Sequence, residues 1–287
     1  MPTDTPRPAV PPAQCTDCPL RRLSAFAPVD ARELAFIQDF RRGSVGVRAG
    51  QEVLAEHANS EYLYTVFSGW AFRFKTLSNG RRQILNFLLP GDFIGLQEQF
   101  ADGSAHGIEA LTDVQLCRFP KTQLWSLYRE FPALGYDLTW LAAREENLID
   151  AALLSAGQRS AMERIAMLLI HLCRRAERVG LADGDSVAFP VTQQHIADAL
   201  GLSGPHAAVR VHRMKQQLDT SRSVVRALRD IGRCGTLGKL AAGWDGTPNP
   251  LWRKRFARHV RDCPVCSARD RALVPVASLL RGLPLVP

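Results

Sequence analysis

Two groups of side chains in this 287-residue chain have the types and spacing to do chemistry. Near the C-terminus, Cys234, His259, Cys263 and Cys266 stand in the pattern C-x24-H-x3-C-x2-C. On a helix His259 and Cys263 fall one turn apart, so an imidazole and a thiolate can meet one ion, and Cys266 closes the next turn. Three thiolates and an imidazole form a closed tetrahedral set, the donor chemistry of structural zinc with no coordination position left open. Cys234 is reached only through a long loop, and the alternative is four ordinary groups on a solvated basic helix.

The second group lies in 192–217, TQQHIADALGLSGPHAAVRVHRMKQQ. Thr192 follows Pro190 and suits an N-cap. Ala197 and Gly201 are four apart, where two crossing helices need a small residue and their connecting turn needs a glycine. Ile196 and Leu200 give the first helix its apolar side. At 100° per residue, Ala208, Val211, Met214 and Leu218 share one side of the second helix. His206, Arg210, Arg213 and Gln217 fall on roughly the opposite side. Arginine binds guanine bidentately, glutamine binds adenine, and cations meet phosphate, so this face fits a major groove. The candidate DNA contacts are Thr192, Gln193, Gln194 and Ser203, with His206, Arg210, Arg213, Lys215 and Gln217 on the second helix. A basic outer face is common on solvated helices; the ordered cap, small residue, glycine and second helix make the pattern specific.

The elements that must position these groups follow from periodicity. Residues 44–119 are short, β-rich and punctuated by turns. Tyr62, Tyr64 and Val66 alternate with Leu63, Thr65 and Phe67, while Trp70, Phe72 and Phe74 continue one face. Ser78-Asn79-Gly80 is a hairpin signal and Pro90-Gly91-Asp92 marks another turn. The expectation is a small antiparallel roll. After Pro132 the period becomes helical, and Leu134, Leu138, Leu141, Leu148 and Ala152 form a seam interrupted by Glu145. That seam suits a two-helix contact between identical chains, or else packing against the chain's own roll. A second helix carries Ile165, Leu168, Leu169 and Leu172 inward. Its C-terminal Arg174, Arg175 and Arg178 suit the helix dipole, and Gly180 ends it. Cys173, on its apolar side, reads as packing.

Composition narrows the classes. No stretch approaches the ~20 apolar residues of a membrane span. The opening is proline-rich rather than a signal peptide, and residues 1–14 read as a disordered arm. Seven cysteines with two CxxC pairs indicate metal or redox ligands in a cytoplasmic protein. The net charge of +8 is carried wholly by residues 219–287, with thirteen Lys/Arg against five Asp/Glu. A basic tail on a neutral body suits a polyanion, although solvated arginines give the same count.

GDFIGL at 91–96, the roll before it, the long helix after it and TQQHIADALGLS at 192–203 resemble the Crp/Fnr superfamily of bacterial regulators over roughly 15–203. The resemblance implies an α+β fold: a cyclic-nucleotide-binding-like β-roll (15–130), a dimerisation helix (131–156) and a helix-turn-helix domain (157–218). It further implies double-stranded DNA and RNA polymerase as partners. A helical basic tail with the zinc pattern occupies 219–287. The match breaks after Ser203. The expected recognition arginine falls at Val209, and one inserted residue around Gly204-Pro205 restores register at Arg210. No wing strands are legible in 219–250. GPHAAVRVHRMKQQL and GWDG…RKRFARHVRDCPVC resemble instead the C-terminal part of extracytoplasmic-function sigma factors, and the metal pattern resembles the zinc anti-sigma motif. The chain reads as a fusion of two promoter-binding parents.

Cyclic AMP is not expected. A buried cyclic phosphate needs a cation, yet residues 83–117 contain no Lys or Arg, and Leu96 replaces the acid that would hold the ribose. The oxygen-sensing branch implies an iron–sulfur cluster. Cys15, Cys18 and Cys117 match three of its four ligands, and Ser24 stands at the other. Redox-active thiols, or a roll with no ligand, are the alternatives. The leading function is a sequence-specific transcription regulator acting as a homodimer. The second reading is a sigma-like or anti-sigma-like module acting through RNA polymerase. No phosphate loop or G-x-S-x-G marks an enzyme.

Overall fold

The structure, a computed structural model, describes residues 10–12, 14–23, 28–96, 103–184, 186–270, 273–274 and 276. Nearly all of the arm read at 1–14, and Ser24, lie outside them. The elements run α1 (Ala31–Phe40), β1 (Ser44–Val47), β2 (Glu52–Leu54), β3 (Tyr62–Ser68), β4 (Ala71–Thr76), β5 (Arg82–Leu88), β6 (Phe93–Ile94), β7 (Gly107–Ala110) and β8 (Val114–Pro120). Then follow α2 (Leu124–Glu130), α3 (Pro132–Gln158), α4 (Ala161–Arg178), β9 (Ala182–Asp183), β10 (Ser186–Val187), α5 (Gln193–Leu200), α6 (Gly204–Arg229), α7 (Gly235–Ala241), α8 (Pro250–Asp262) and α9 (Pro264–Asp270). Two compact units divide the chain, Met1–Ala207 and Ala208–Pro287. Among the described residues, no helix is long and apolar enough to cross a membrane.

In the first unit, two four-stranded antiparallel sheets, β1-β8-β3-β6 and β2-β7-β4-β5, form the expected roll. Val66, Leu88, Ile94, Ile108, Val114 and Leu116 fill the space between them. The β4–β5 turn is the one Asn79-Gly80 predicts. Gly80 has φ +76°, which only glycine adopts without strain, and Arg81 N–H donates to Asn79 Oδ1 at 3.0 Å.

Alternation fails on β4, where Ala71, Phe72, Arg73 and Phe74 are all buried. Its outer side is covered by the later helical segment: Trp70 meets Phe189 edge-on at 6.1 Å, and Phe72 lies 5.6 Å from the His195 ring. A strand covered on both faces loses the alternating pattern.

The pleat turns Leu63, Phe67, Cys117 and Phe119 outward from the roll, where α1, α2 and α3 cover them. Of the two uses open to the leucine seam, packing on the chain's own roll accounts for its first half. Leu134 and Leu138 are buried in that same intrachain cluster, Leu141 packs against it, and Leu148 lines a crevice with Arg73 and Asp92. Glu145, the interruption, pairs with Arg73 of β4. Burying a leucine stabilises by ~1.5–3 kcal/mol, enough to fix this face on its own roll.

In the second unit, α6 runs unbroken through the boundary read at 218 to Arg229. Its C-terminal part contributes Val224 to a core with Leu237, Phe256 and Val260, which Trp244 and Trp252 flank. Among the described residues no strand follows α6, so no wing is found there.

Candidate functional site

Helix α5 begins as its sequence dictates. The Thr192 hydroxyl accepts from His195 N–H at 3.3 Å, and Thr192 N–H donates back to His195 Nδ1 at 3.1 Å. This capping box uses histidine where glutamate or glutamine is usual. The acceptor role requires an unprotonated Nδ1, and burial holds the His195 pKa below its ordinary value, against the opposing pull of Asp198 and Glu109. Ile196 and Ala197 are fully buried. Gly201 ends the helix in the left-handed region at φ +63°, with Leu202 N–H returning to Ala197 O at 2.9 Å.

The last carbonyls of α5 have partners that sequence reasoning missed. Gln83 Nε2 donates to Ala199 O at 3.1 Å and Arg81 Nη2 to Leu202 O at 3.3 Å, both from the β4–β5 hairpin; Arg164 of α4 donates to Leu200 O. Helix C-termini leave such carbonyls unpaired, which explains why distant donors settle there. Partners 36 to 121 residues apart leave no local signal. Arg175 stands in the last turn of α4 as expected, and it is also buried, pairs with Asp92 and donates to Phe87 O at 2.8 Å, which the local sequence does not show.

Of the predicted DNA contacts, Gln194, Ser203, His206, Arg213 and Gln217 are exposed, and Thr192 and Arg210 half-buried. Gln194 holds Asp198 at 2.8 Å. Gln193 and Lys215, both named as candidate DNA contacts, are buried at 4% and 5% exposure, which leaves neither on the exposed face. Burial also lowers the Lys215 pKa, as expected when an ammonium leaves water. The buried line of α6 is Ala207, Val211 and Met214; Ala208 is half-buried and Leu218 is 42% exposed.

Cys234, His259, Cys263 and Cys266 converge, all four ligand atoms lying within 4.8 Å of one another. Cys234 Sγ is 3.4 Å from His259 Nε2 and 3.8 Å from Cys263 Sγ, and Cys266 Sγ is 3.5 Å from His259 Nε2. Zn–S and Zn–N bonds of ~2.3 and ~2.0 Å at tetrahedral angles place S···S near ~3.8 Å and S···N near ~3.5 Å. Three elements supply the set. Cys234 caps α7, accepting Leu237 N–H at 3.4 Å; His259 and Cys263 come from the end of α8, and Cys266 from α9. Burial, reinforced by the neighbouring thiols, pushes Cys266 to about 12. A bound cation would relieve this crowding, because it favours thiolates over thiols.

Cys18 packs against the cluster formed with α1, α2 and α3 that holds Cys117. Arg41 Nη1 is 3.8 Å from Cys15 Sγ. Burial pushes the Cys117 thiol up to about 11, with Arg41 opposing and Cys18 and Cys15 adding to the shift. Among the described residues only the C-terminal four form a group close enough for one ion. Cys173 is half-buried in α4, and burial raises its pKa.

Arg73 and Arg175 enter the crevice between roll and α3 from outside the 83–117 window. Both are already neutralised, by Glu145 and Asp92, and Arg73 Nη2 also donates to Phe93 O at 2.8 Å.

A cyclic nucleotide-binding domain model matches residues 45–131. The chain is 28% identical over 206 residues to the transcriptional activator protein FnrL of Cereibacter sphaeroides, covering 71% of this chain and 82% of that protein. It is 32% identical over 189 residues to the nitrogen fixation regulation protein FixK of Bradyrhizobium diazoefficiens, covering 66% and 78%. The solved structure of FixK2 from Bradyrhizobium japonicum superposes with a TM-score of 0.55 at 29% identity, over 61% of this chain and 84% of that one. Roll, long helix and capped helix-turn-helix, with these relatives, define a DNA-binding transcription regulator. The chain belongs to the Crp/Fnr family.

Proposed function

We propose that this regulator binds promoter DNA as a homodimer, reading bases with Arg213, Gln217, His206 and Arg210 of α6. Gln194, Ser203 and Thr192 then meet the backbone around α5. The observation that carries this reading is the capped α5 and left-handed Gly201 turn leading into a helix with Val211 and Met214 buried and Arg213 and Gln217 exposed. Arginine and glutamine on one exposed helix face supply guanine and adenine donors together. Arg210→Ala, Arg213→Ala should abolish specific promoter binding in a mobility-shift assay while leaving the thermal melt intact. Unchanged binding would favour the second reading, a sigma-like or anti-sigma-like module on RNA polymerase. That reading draws support from the unbroken α6 and the Cys/His cluster beyond it.

The dimer contact moves to the other face of α3. Tyr136, Trp140, Ala143, Asn147, Asp150 and Leu154 recur at four-then-three spacing, and all are exposed. That period is what a helix pair from two copies requires. Zinc held by Cys234, His259, Cys263 and Cys266 would act structurally, since four protein donors leave no open position. Cyclic nucleotide is not assigned, because both crevice arginines already hold carboxylates. No iron–sulfur cluster is assigned either. Cys15, Cys18 and Cys117 offer three donors, and among the described residues they do not form a group close enough to hold one ion.

A further inference from the structure

Residues 208–287 hold sixteen Lys/Arg against five Asp/Glu, a surplus of 11, and the densest part of it lies on α8. This helix, PLWRKRFARHVRD, buries Phe256 and Val260 in the core of the second unit. Its opposite side carries Lys254, Arg258 and Arg261, all exposed. At 100° per residue the three fall within about 60° of arc, and at 1.5 Å rise they span about 10 Å along the axis. They form a straight cationic ridge.

Folding alone does not account for it. The first turn of α8 contains no acid, and Arg253, Lys254 and Arg255 crowd the N-terminal half, where cations oppose the helix dipole. Among the described residues, the ion pair made from α8 is Arg261 with its neighbour Asp262 at 3.2 Å, both side chains more than 60% exposed. Arg255 lies over Trp252 at 4.9 Å, which leaves its charge in place. Like charges on one face repel one another and weaken the fold unless an anion meets them.

We propose that the ridge Lys254–Arg258–Arg261 is a second DNA-contact surface, docking on the sugar–phosphate backbone of the duplex that α6 reads. It rests on the DNA-binding reading above. Phosphate oxygens are the fitting partner because Lys254, Arg258 and Arg261 are all exposed cations with no acceptor among them, and a row of like charges matches the evenly charged backbone. As a backbone contact it adds affinity and fixes orientation, and leaves base preference to α6. The Cys234–His259–Cys263–Cys266 set holds the C-terminal end of α8, and so holds the ridge in place.

The test uses the full-length, zinc-loaded protein and a random-sequence duplex, with affinity measured across a salt series. Each lost phosphate contact lowers the slope of log K against log salt by ~0.9, so K254Q/R258Q/R261Q should lower it by nearly three. K254R/R258K/R261K should keep the wild-type slope. Helicity and zinc content equal to wild type identify a folded variant; if the triple variant fails to fold, R258Q alone should lower the slope by ~0.9. A folded variant with the wild-type slope overturns the ridge, and its loss of RNA polymerase binding would assign the surface to an acidic protein face. A wild-type chain that binds no duplex at any salt overturns the DNA reading itself.

Discussion

Arg213 and Lys215 stand two positions apart on α6, and their surroundings give them different roles. Arg213 is exposed, while Lys215 is 5% exposed with a lowered pKa. Arg213→Ala should reduce DNA affinity and the salt slope, whereas Lys215→Met should leave the slope within error and alter only the melting temperature. A salt titration and a thermal melt of each variant separate the two roles. His106 gives the roll a pH dependence. It is buried, and burial, then Arg73 and Lys75, push it down to about 4. The unfolded chain takes up this proton from about 6.5 downward, and the folded one resists until about 4. The stability contributed by neutral His106 is therefore complete above the unfolded value and lost as pH falls through that window. His106→Gln should flatten the pH dependence of the roll's denaturant midpoint between those values; an unchanged profile would mean that another group controls it.

At the scale of elements, α3 has two faces with opposite duties. Leu138→Ala should cost ~2–5 kcal/mol of roll stability and leave the oligomeric state unchanged, because that side chain lies in the intrachain core. Trp140→Glu should produce monomers by sedimentation with little change in the melt, because Trp140 is 50% exposed on the other seam. The opposite pattern would restore the Leu134, Leu138, Leu141 and Leu148 seam as the dimer contact. Helix α4 has an equally specific role. Arg175 joins it to Asp92 and Phe87 of the roll, and removing one member of a buried pair costs ~3–5 kcal/mol. Arg175→Met should increase amide exchange in α4 and α5 ahead of the β-strands. Uniform exchange across the unit would show that the pair does not control this docking.

At the scale of the whole molecule, chelation should act on one unit. A closed Cys₃His site contributes folding free energy to the elements it joins, here α7, α8 and α9. About one zinc per chain is expected, lost in Cys263→Ser, with helicity falling while the roll's melt is unchanged. Binding releases protons from the thiols, so zinc affinity should fall as pH falls. A metal-free chain with full helicity would remove zinc from the account. Visible absorption that bleaches in air would instead place an iron–sulfur cluster on Cys15, Cys18 and Cys117.

The local grammar of the chain was legible without coordinates. Asn79-Gly80 set a hairpin, Thr192 a cap and Gly201 a left-handed stop, because each acts through backbone within a few residues. The C-x24-H-x3-C-x2-C spacing named the four groups that converge, since helical geometry fixes the last three. Tertiary packing decided the rest. The helix α3 offers two seams of similar period, and the leucine-rich one was taken by the roll's outer face, leaving the aromatic one exposed. Arg175 was legible only as a cation at a helix end and Lys215 only as a cation on the second helix, because nothing within a few residues of them shows which strands and helices will close over them. Burial is a property of what arrives from far along the chain, and only the folded molecule specifies it.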